Sequence, residues 1–127
     1  MSREPITEGE LSILEAIWNT ENPSSRDIAE TIYEKVTDSK MASAQKLLER
    51  LELKGYVRRD RSKRAHRFQA TVSREEFLRS QLRSLADRHC EGSIAPLVTT
   101  LIQSKGFTKK NRQQLRTLID ELWPEEK

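Results

Sequence analysis

Residues 40–55 read KMASAQKLLERLELKG, and this stretch decides the fold. Ala44, Leu47, Leu48 and Leu51 recur at i, i+3, i+4 and i+7, which predicts one apolar stripe on an α-helix. Lys40, Ser43, Lys46 and Arg50 fall on the other face. Gly55 stands where a helix ends best in a residue that tolerates positive φ. The segments YVRRD (56–60), RSKR (61–64) and AHRFQAT (65–71) then predict two short strands joined by a charged turn. A cationic helix followed at once by a cationic hairpin suits a polyanion better than bulk water.

The distribution of charge agrees with that reading. Residues 1–37 hold 3 Lys/Arg against 8 Asp/Glu, residues 38–70 hold 10 against 4, and residues 71–127 hold 10 against 8. The formal net charge of +3 therefore hides a localised basic middle third. A localised basic patch is the electrostatic footprint of an anion-binding face.

Upstream, Thr7 and Glu10 form a T-x-x-E capping box before the run Leu11, Ile13, Leu14, Ile17 and Trp18, which predicts a helix over about 8–20. Residues 1–6 are expected to be a loose arm. Asn22-Pro23 breaks the helix. Ser24 offers an N-cap with Asp27 three residues on, and Ile28, Ala29, Ile32, Tyr33 and Val36 predict a second helix over about 25–36. Thr37-Asp38-Ser39 is a short polar joint into the basic helix, so the outline is a helix-turn-helix.

Downstream, Ser73 caps a helix carrying Phe77, Leu78, Leu82, Leu85 and Ala86. Glu91-Gly92-Ser93 breaks it. Ile94, Leu97, Val98, Leu101 and Ile102 mark a further helix, with Pro96 acceptable in its first turn. Thr108 caps a last one, whose face is Leu115, Leu118, Ile119 and Leu122 with Trp123. Three short amphipathic segments have little interior for so many apolar side chains. Packing against a second copy is the simplest way to cover them. The expected dimer interface is Leu78, Leu82, Leu85, Leu97, Leu101, Leu115, Leu118 and Leu122.

The fold class is therefore mainly α. A winged helix-turn-helix, three helices plus a short β-hairpin wing, is expected at 1–72, followed by a helical dimerisation region at 73–127. Within the first, Lys40, Met41, Ala42, Ser43 and Lys46 are the candidates for the DNA groove, with Arg50 on the backbone. Ser24, Ser25 and Arg26 begin a helix, where free N–H groups suit phosphate. Arg61, Lys63 and Arg64 at the wing tip are placed for phosphate or the minor groove.

Other chemistry finds little support. Cys90 is the one cysteine, and with His66 and His89 it falls short of a four-ligand zinc set, so neither a metal nor a cofactor is expected. Cys90 is expected to be a small, half-buried side chain. No Gly-rich phosphate loop or nucleophile elbow occurs, and no enzyme activity is expected. There is neither an apolar run near the ~18 residues of a membrane helix nor a signal peptide. Those two points and the lone cysteine lead to an expectation of a cytoplasmic protein without membrane insertion. The competing reading is a winged helix that docks on an acidic protein partner without binding DNA.

Specific segments resemble a known family. ITEGELSILEAIW (6–18), SSRDIAETI (24–32), AQKLLERLELKGYV (44–57) with its basic hairpin, and SIAPLVTTLIQSKGFTKKNRQQLRTLIDEL (93–122) resemble, in order and spacing, the penicillinase repressor family. Trp18 and the run Arg50, Leu51, Lys54, Gly55 and Tyr56 carry most of the likeness. The resemblance implies a homodimeric transcriptional repressor that binds double-stranded DNA at an operator with dyad symmetry. It also implies release by an inducing signal. In antibiotic-responsive members a membrane sensor with a zinc-protease domain leads to cleavage of an Asn–Phe bond; the matching bond here is Thr100–Leu101. The paired Cys-x-Cys of copper-responsive members is absent, and Met41-Ala42-Ser43 stands where the best-known members have Pro-Lys-Thr.

Overall fold

A computed structural model describes residues 4–125. The elements are α1 (Glu8–Trp18), α2 (Ser25–Ile32), α3 (Asp38–Leu53), β1 (Val57–Asp60), β2 (Arg67–Ala70), α4 (Arg74–His89), α5 (Ala95–Gln103) and α6 (Lys109–Leu122). Contacts group them into two compact units, Met1–Ser80 and Gln81–Lys127.

In the first unit, local sequence fixes each helix end. Thr7 accepts from the Glu10 N–H at 3.2 Å, and Glu10 accepts from the Thr7 N–H at 2.8 Å. Ser24 and Asp27 repeat the arrangement at the start of α2, at 3.1 and 3.0 Å. Thr37 caps α3 by accepting from Lys40 N–H at 3.1 Å, so the basic helix begins at Asp38 instead of Lys40. At its far end the Tyr56 N–H donates to the Leu51 carbonyl and the Gly55 N–H to the Glu52 carbonyl. That crossed pair needs a left-handed residue between, and Gly55 supplies it at φ 85°.

The three helices close over a core of Ile13, Leu14, Ile17, Ile28, Ala44, Leu48 and Leu51, each at most 4% exposed. Tyr56, Val57, Phe68 and Val72 join that core from the wing and its flanks. The two strands are antiparallel, pairing Val57 with Ala70, Arg58 with Gln69, Arg59 with Phe68 and Asp60 with Arg67. A bridge between Ser24 and Arg67, with Phe68 N–H donating to the Pro23 carbonyl at 2.9 Å, ties the hairpin to the α1–α2 connection. The Trp18 indole N–H donates to the Val72 carbonyl at 2.9 Å, and Phe77 in the first turn of α4 packs on the rings of Trp18 and Tyr56.

Two expectations need correction. The second helix stops at Ile32, because Tyr33 is extended (φ −106°, ψ 137°). Tyr33 and Val36 still pack on the core, so their apolar spacing reported burial and not helix. The arm is not loose over residues 4–6. Tyr56 Oη donates to the Glu4 carbonyl at 2.6 Å, Lys54 Nζ donates to the Pro5 carbonyl at 3.0 Å, and Ile6 packs against the core. Residues 1–3 of that expected arm lie outside the described residues.

Glu10 and Lys54 form the one pair whose carboxylate is fully buried among the described ion pairs. Lys54 Nζ lies 2.8 Å from Glu10 Oε1, with the Glu10 side chain 0% and the Lys54 side chain 19% exposed. Glu10 Oε2 is buried with no hydrogen-bond partner among the described residues. Burial pushes the Glu10 carboxyl up, but the Lys54 hydrogen bond and the Thr7 donors together outweigh it and hold it below its ordinary value.

In the second unit the end of α4 is followed by a turn with Glu91 at φ 52° and Gly92 at φ 83°. Thr108 caps α6 by accepting from Asn111 N–H at 3.1 Å. Ala86 is its one fully covered apolar side chain among the described residues, and neither α5 nor α6 has a buried residue. Cys90 is partly buried.

Removing Lys54 strands a buried carboxylate, which typically costs about 3 kcal/mol. Lys54→Met should therefore lower the urea unfolding free energy by that order at pH 7. A carboxyl lowered on folding stabilises above its ordinary pKa of about 4.3, and that stabilisation is lost as pH falls through the lower folded value. The deficit of Lys54→Met relative to wild type should thus shrink towards pH 4. A deficit that is constant with pH would contradict this account.

Candidate nucleic-acid interface

The buried stripe of α3 determines what its other face presents. Ala44, Leu48 and Leu51 point inward at 0% exposure, and Met41 and Leu47 are partly buried against the same core. Lys40, Ala42, Ser43, Lys46 and Arg50 are exposed. Their spacing places Ala42, Ser43, Lys46 and Arg50 on one continuous outer face. The Lys40 ammonium lies 5.5 Å from the centre of the Tyr33 ring, which anchors it at the start of the helix. Met41 alone of the expected groove residues sits on the core side.

At the start of α2, Ser24 is occupied by its own cap: its hydroxyl accepts from Asp27 N–H and its N–H donates to Asp27 Oδ2. The Ser24 donors, backbone first and hydroxyl second, hold the Asp27 carboxyl below its ordinary range, and Arg67 adds to the effect. Arg26 is exposed and lies 3.6 Å from Glu30 one turn on. An open cleft of about 380 Å³ brings Ser25 of α2 together with Gln45 and Glu49 of α3 and with Arg59, Arg64 and His66 of the wing. Three separate stretches of sequence thus meet at one surface.

The wing tip is shaped by Asp60, whose Oδ1 accepts from the Ser62 N–H at 2.9 Å, an Asx turn. The Ser62 hydroxyl and N–H hold the Asp60 carboxyl below its ordinary range. Several wing arginines already have internal partners. Arg59 and Arg61 both reach Glu52, each at 3.3 Å, and Arg67 reaches Asp27 at 3.1 Å. Arg58 donates to Gln69. Lys46, Arg50, Lys63 and Arg64 have no ion pair among the described residues. Sequence reasoning missed Glu52 and Asp27 as anchors, since no local signal marks a partner across the fold.

The order of these elements is matched by a family model described as penicillinase repressor, over residues 6–121. The chain belongs to the penicillinase repressor family. Membership makes it one of a family of DNA-binding transcriptional repressors, and the helices with their small antiparallel hairpin are the winged helix of that family. No curated protein matches the chain. Among the described residues no helix is long and apolar enough to cross a membrane, and no group of three or more His, Cys, Asp or Glu could hold a metal ion.

Proposed function

We propose that this penicillinase repressor family member acts as a homodimer on a palindromic operator. The observation that carries the reading is the outer face of α3. Ala42, Ser43 and Lys46 are small or polar enough to approach base edges, and Arg50 stands one turn on for the backbone. Ser25 and Arg26 at the start of α2, and Lys63 and Arg64 on the wing, supply flanking phosphate contacts. Residues 1–72 read the DNA and residues 73–127 pair the subunits.

The dimer is supported by what the second unit leaves uncovered. Leu101 is 58% exposed, Leu118 50%, Leu122 79% and Trp123 81%. Leu82, Leu85, Ile94, Val98, Ile102 and Ile119 are also exposed, while Leu97 and Leu115 are partly covered. Leu78 at the foot of α4 is exposed as well. So many uncovered apolar side chains support an interface there. Two-fold pairing would set two α3 helices about 34 Å apart, one turn of duplex, and so occlude a promoter.

Release follows from loss of the dimer, because one half-site contributes roughly half the binding free energy. Cleavage at Thr100–Leu101, through a membrane sensor protease as in antibiotic-responsive relatives, would achieve it. Both residues are exposed, yet the bond lies inside α5, and the Thr100 hydroxyl donates to the Pro96 carbonyl at 2.8 Å. A protease would therefore need local opening of that helix first.

Two measurements test the reading. Lys46→Ala removes one cation from the reading face and should weaken duplex binding and flatten the slope of log K against log salt; a wild-type slope would contradict its place at the duplex. Leu118→Glu puts a charge into the proposed interface and should convert a micromolar dimer to monomer in sedimentation. A monomeric wild type at that concentration would remove the dimer from the account.

A further inference from the structure

The wing carries six cations between 58 and 67: Arg58, Arg59, Arg61, Lys63, Arg64 and Arg67. They are not equivalent. Glu52, near the end of α3, turns one carboxylate oxygen to each of two: Oε1 lies 3.3 Å from Arg59 Nε, an ion pair in which the buried Nε makes no hydrogen bond among the described residues, and Oε2 accepts from Arg61 Nη2 at 3.3 Å. Arg59 lies in β1 two residues from the buried Val57 and so on the face towards α3, and Arg61, the first residue after the strand, reaches back to the same carboxylate.

Glu52 is also held in place. The Arg59 guanidinium lies 4.9 Å from the centre of the Phe68 ring, and Phe68 is 2% exposed in the core. The Arg59 and Glu52 side chains are 20% and 28% exposed, so solvent screens them less than a free surface pair. A phosphate that took Arg61 would sit beside that fixed carboxylate and be repelled by it. Lys63 and Arg64, at the same tip, form no close ion pair among the described residues; the Asp60 carboxylate feels the Lys63 charge only at longer range, while its own hydrogen bonds go to Ser62.

We propose that Glu52 withholds Arg59 and Arg61 from the DNA backbone and leaves the wing's phosphate contacts to Lys63 and Arg64. The inference rests on the DNA-binding reading above and names which charges do the binding. Phosphate contacts are sequence-independent and supply most non-specific affinity. Neutralising two arginines lowers that background without touching a base contact. Glu52 is thereby a specificity-determining residue that meets no base.

The test is the salt dependence of binding to a labelled 20-base-pair duplex of random sequence, which needs no operator. Arg64→Gln should reduce the slope of log K against log salt by about one, whereas Arg61→Gln should leave it within half a unit. Glu52→Gln should steepen it by about one or more. Glu15→Gln removes the same charge from an exposed position on α1 but releases no arginine, and it should leave the slope near wild type. The decisive comparison is Arg61→Gln in the two backgrounds: silent beside Glu52, and costing about one unit once Glu52→Gln has freed it. A purely structural role for the clamp would not produce that dependence.

If Arg61→Gln lowers the wild-type slope as far as Arg64→Gln does, or Glu52→Gln matches Glu15→Gln, the clamp is overturned while the DNA-binding reading stands. If the wild type shows no salt-dependent affinity for duplex at all, both fall. The Arg61 side chain is 61% exposed, so its substitution reads out even where Glu52→Gln fails to fold.

Discussion

One helix has to satisfy two solvents. The inner stripe of α3, Ala44, Leu48 and Leu51, is sealed at 0% exposure against α1 and α2, and burying side chains of this size is worth roughly 1.5–3 kcal/mol for each leucine. That burial fixes the rotation of the helix about its axis. The direction in which Lys46 and Arg50 project is then no longer free. The same constraint turns Met41 inward and gives Gly55 its role: the chain must reverse at once so that Tyr56 and Val57 can close the core from the other side.

Around that helix, charge is sorted by three carboxylates, one on α1, one on α2 and one on α3 itself. Glu10 meets Lys54 inside the fold, Asp27 meets Arg67 at its edge, and Glu52 meets Arg59 and Arg61 at the wing. The buried pair governs stability, because a lone charge there has no water to turn to. The pairs nearer the surface contribute little to stability; in the proposed reading they set which cations remain for phosphate. A simple count of basic residues in the middle third therefore overstates the surface that DNA would meet. The second unit poses the opposite problem: its apolar side chains are uncovered, which is the ground for the proposed pairing of subunits.

Much of the first unit was legible because its signals are local. Thr7 with Glu10 and Ser24 with Asp27 announce helix starts by side chains three residues apart, and both capping boxes form. The alternation of 56–70 and the Gly55 stop likewise report nearest-neighbour geometry, as do Gly92 and Thr108 further on. The end of α2 was not legible: Tyr33 and Val36 continue an apolar rhythm from an extended segment, and rhythm records burial alone. The anchored residues 4–6 and the partners of Arg61 and Arg67 were also hidden. Each depends on groups brought together by the fold, such as Asp27 and Arg67, 40 positions apart. Sequence therefore located the cationic surface but could not divide it into charges that face out and charges already held.

The most direct test of the central claim is an amide chemical-shift map of the whole chain on addition of a short B-form duplex. The account predicts that the largest changes cluster at the start of α2, along residues 40–50 and at the wing tip 61–64, with the inward side of α1 unmoved. Changes confined to 94–122, or none at low salt, would contradict it.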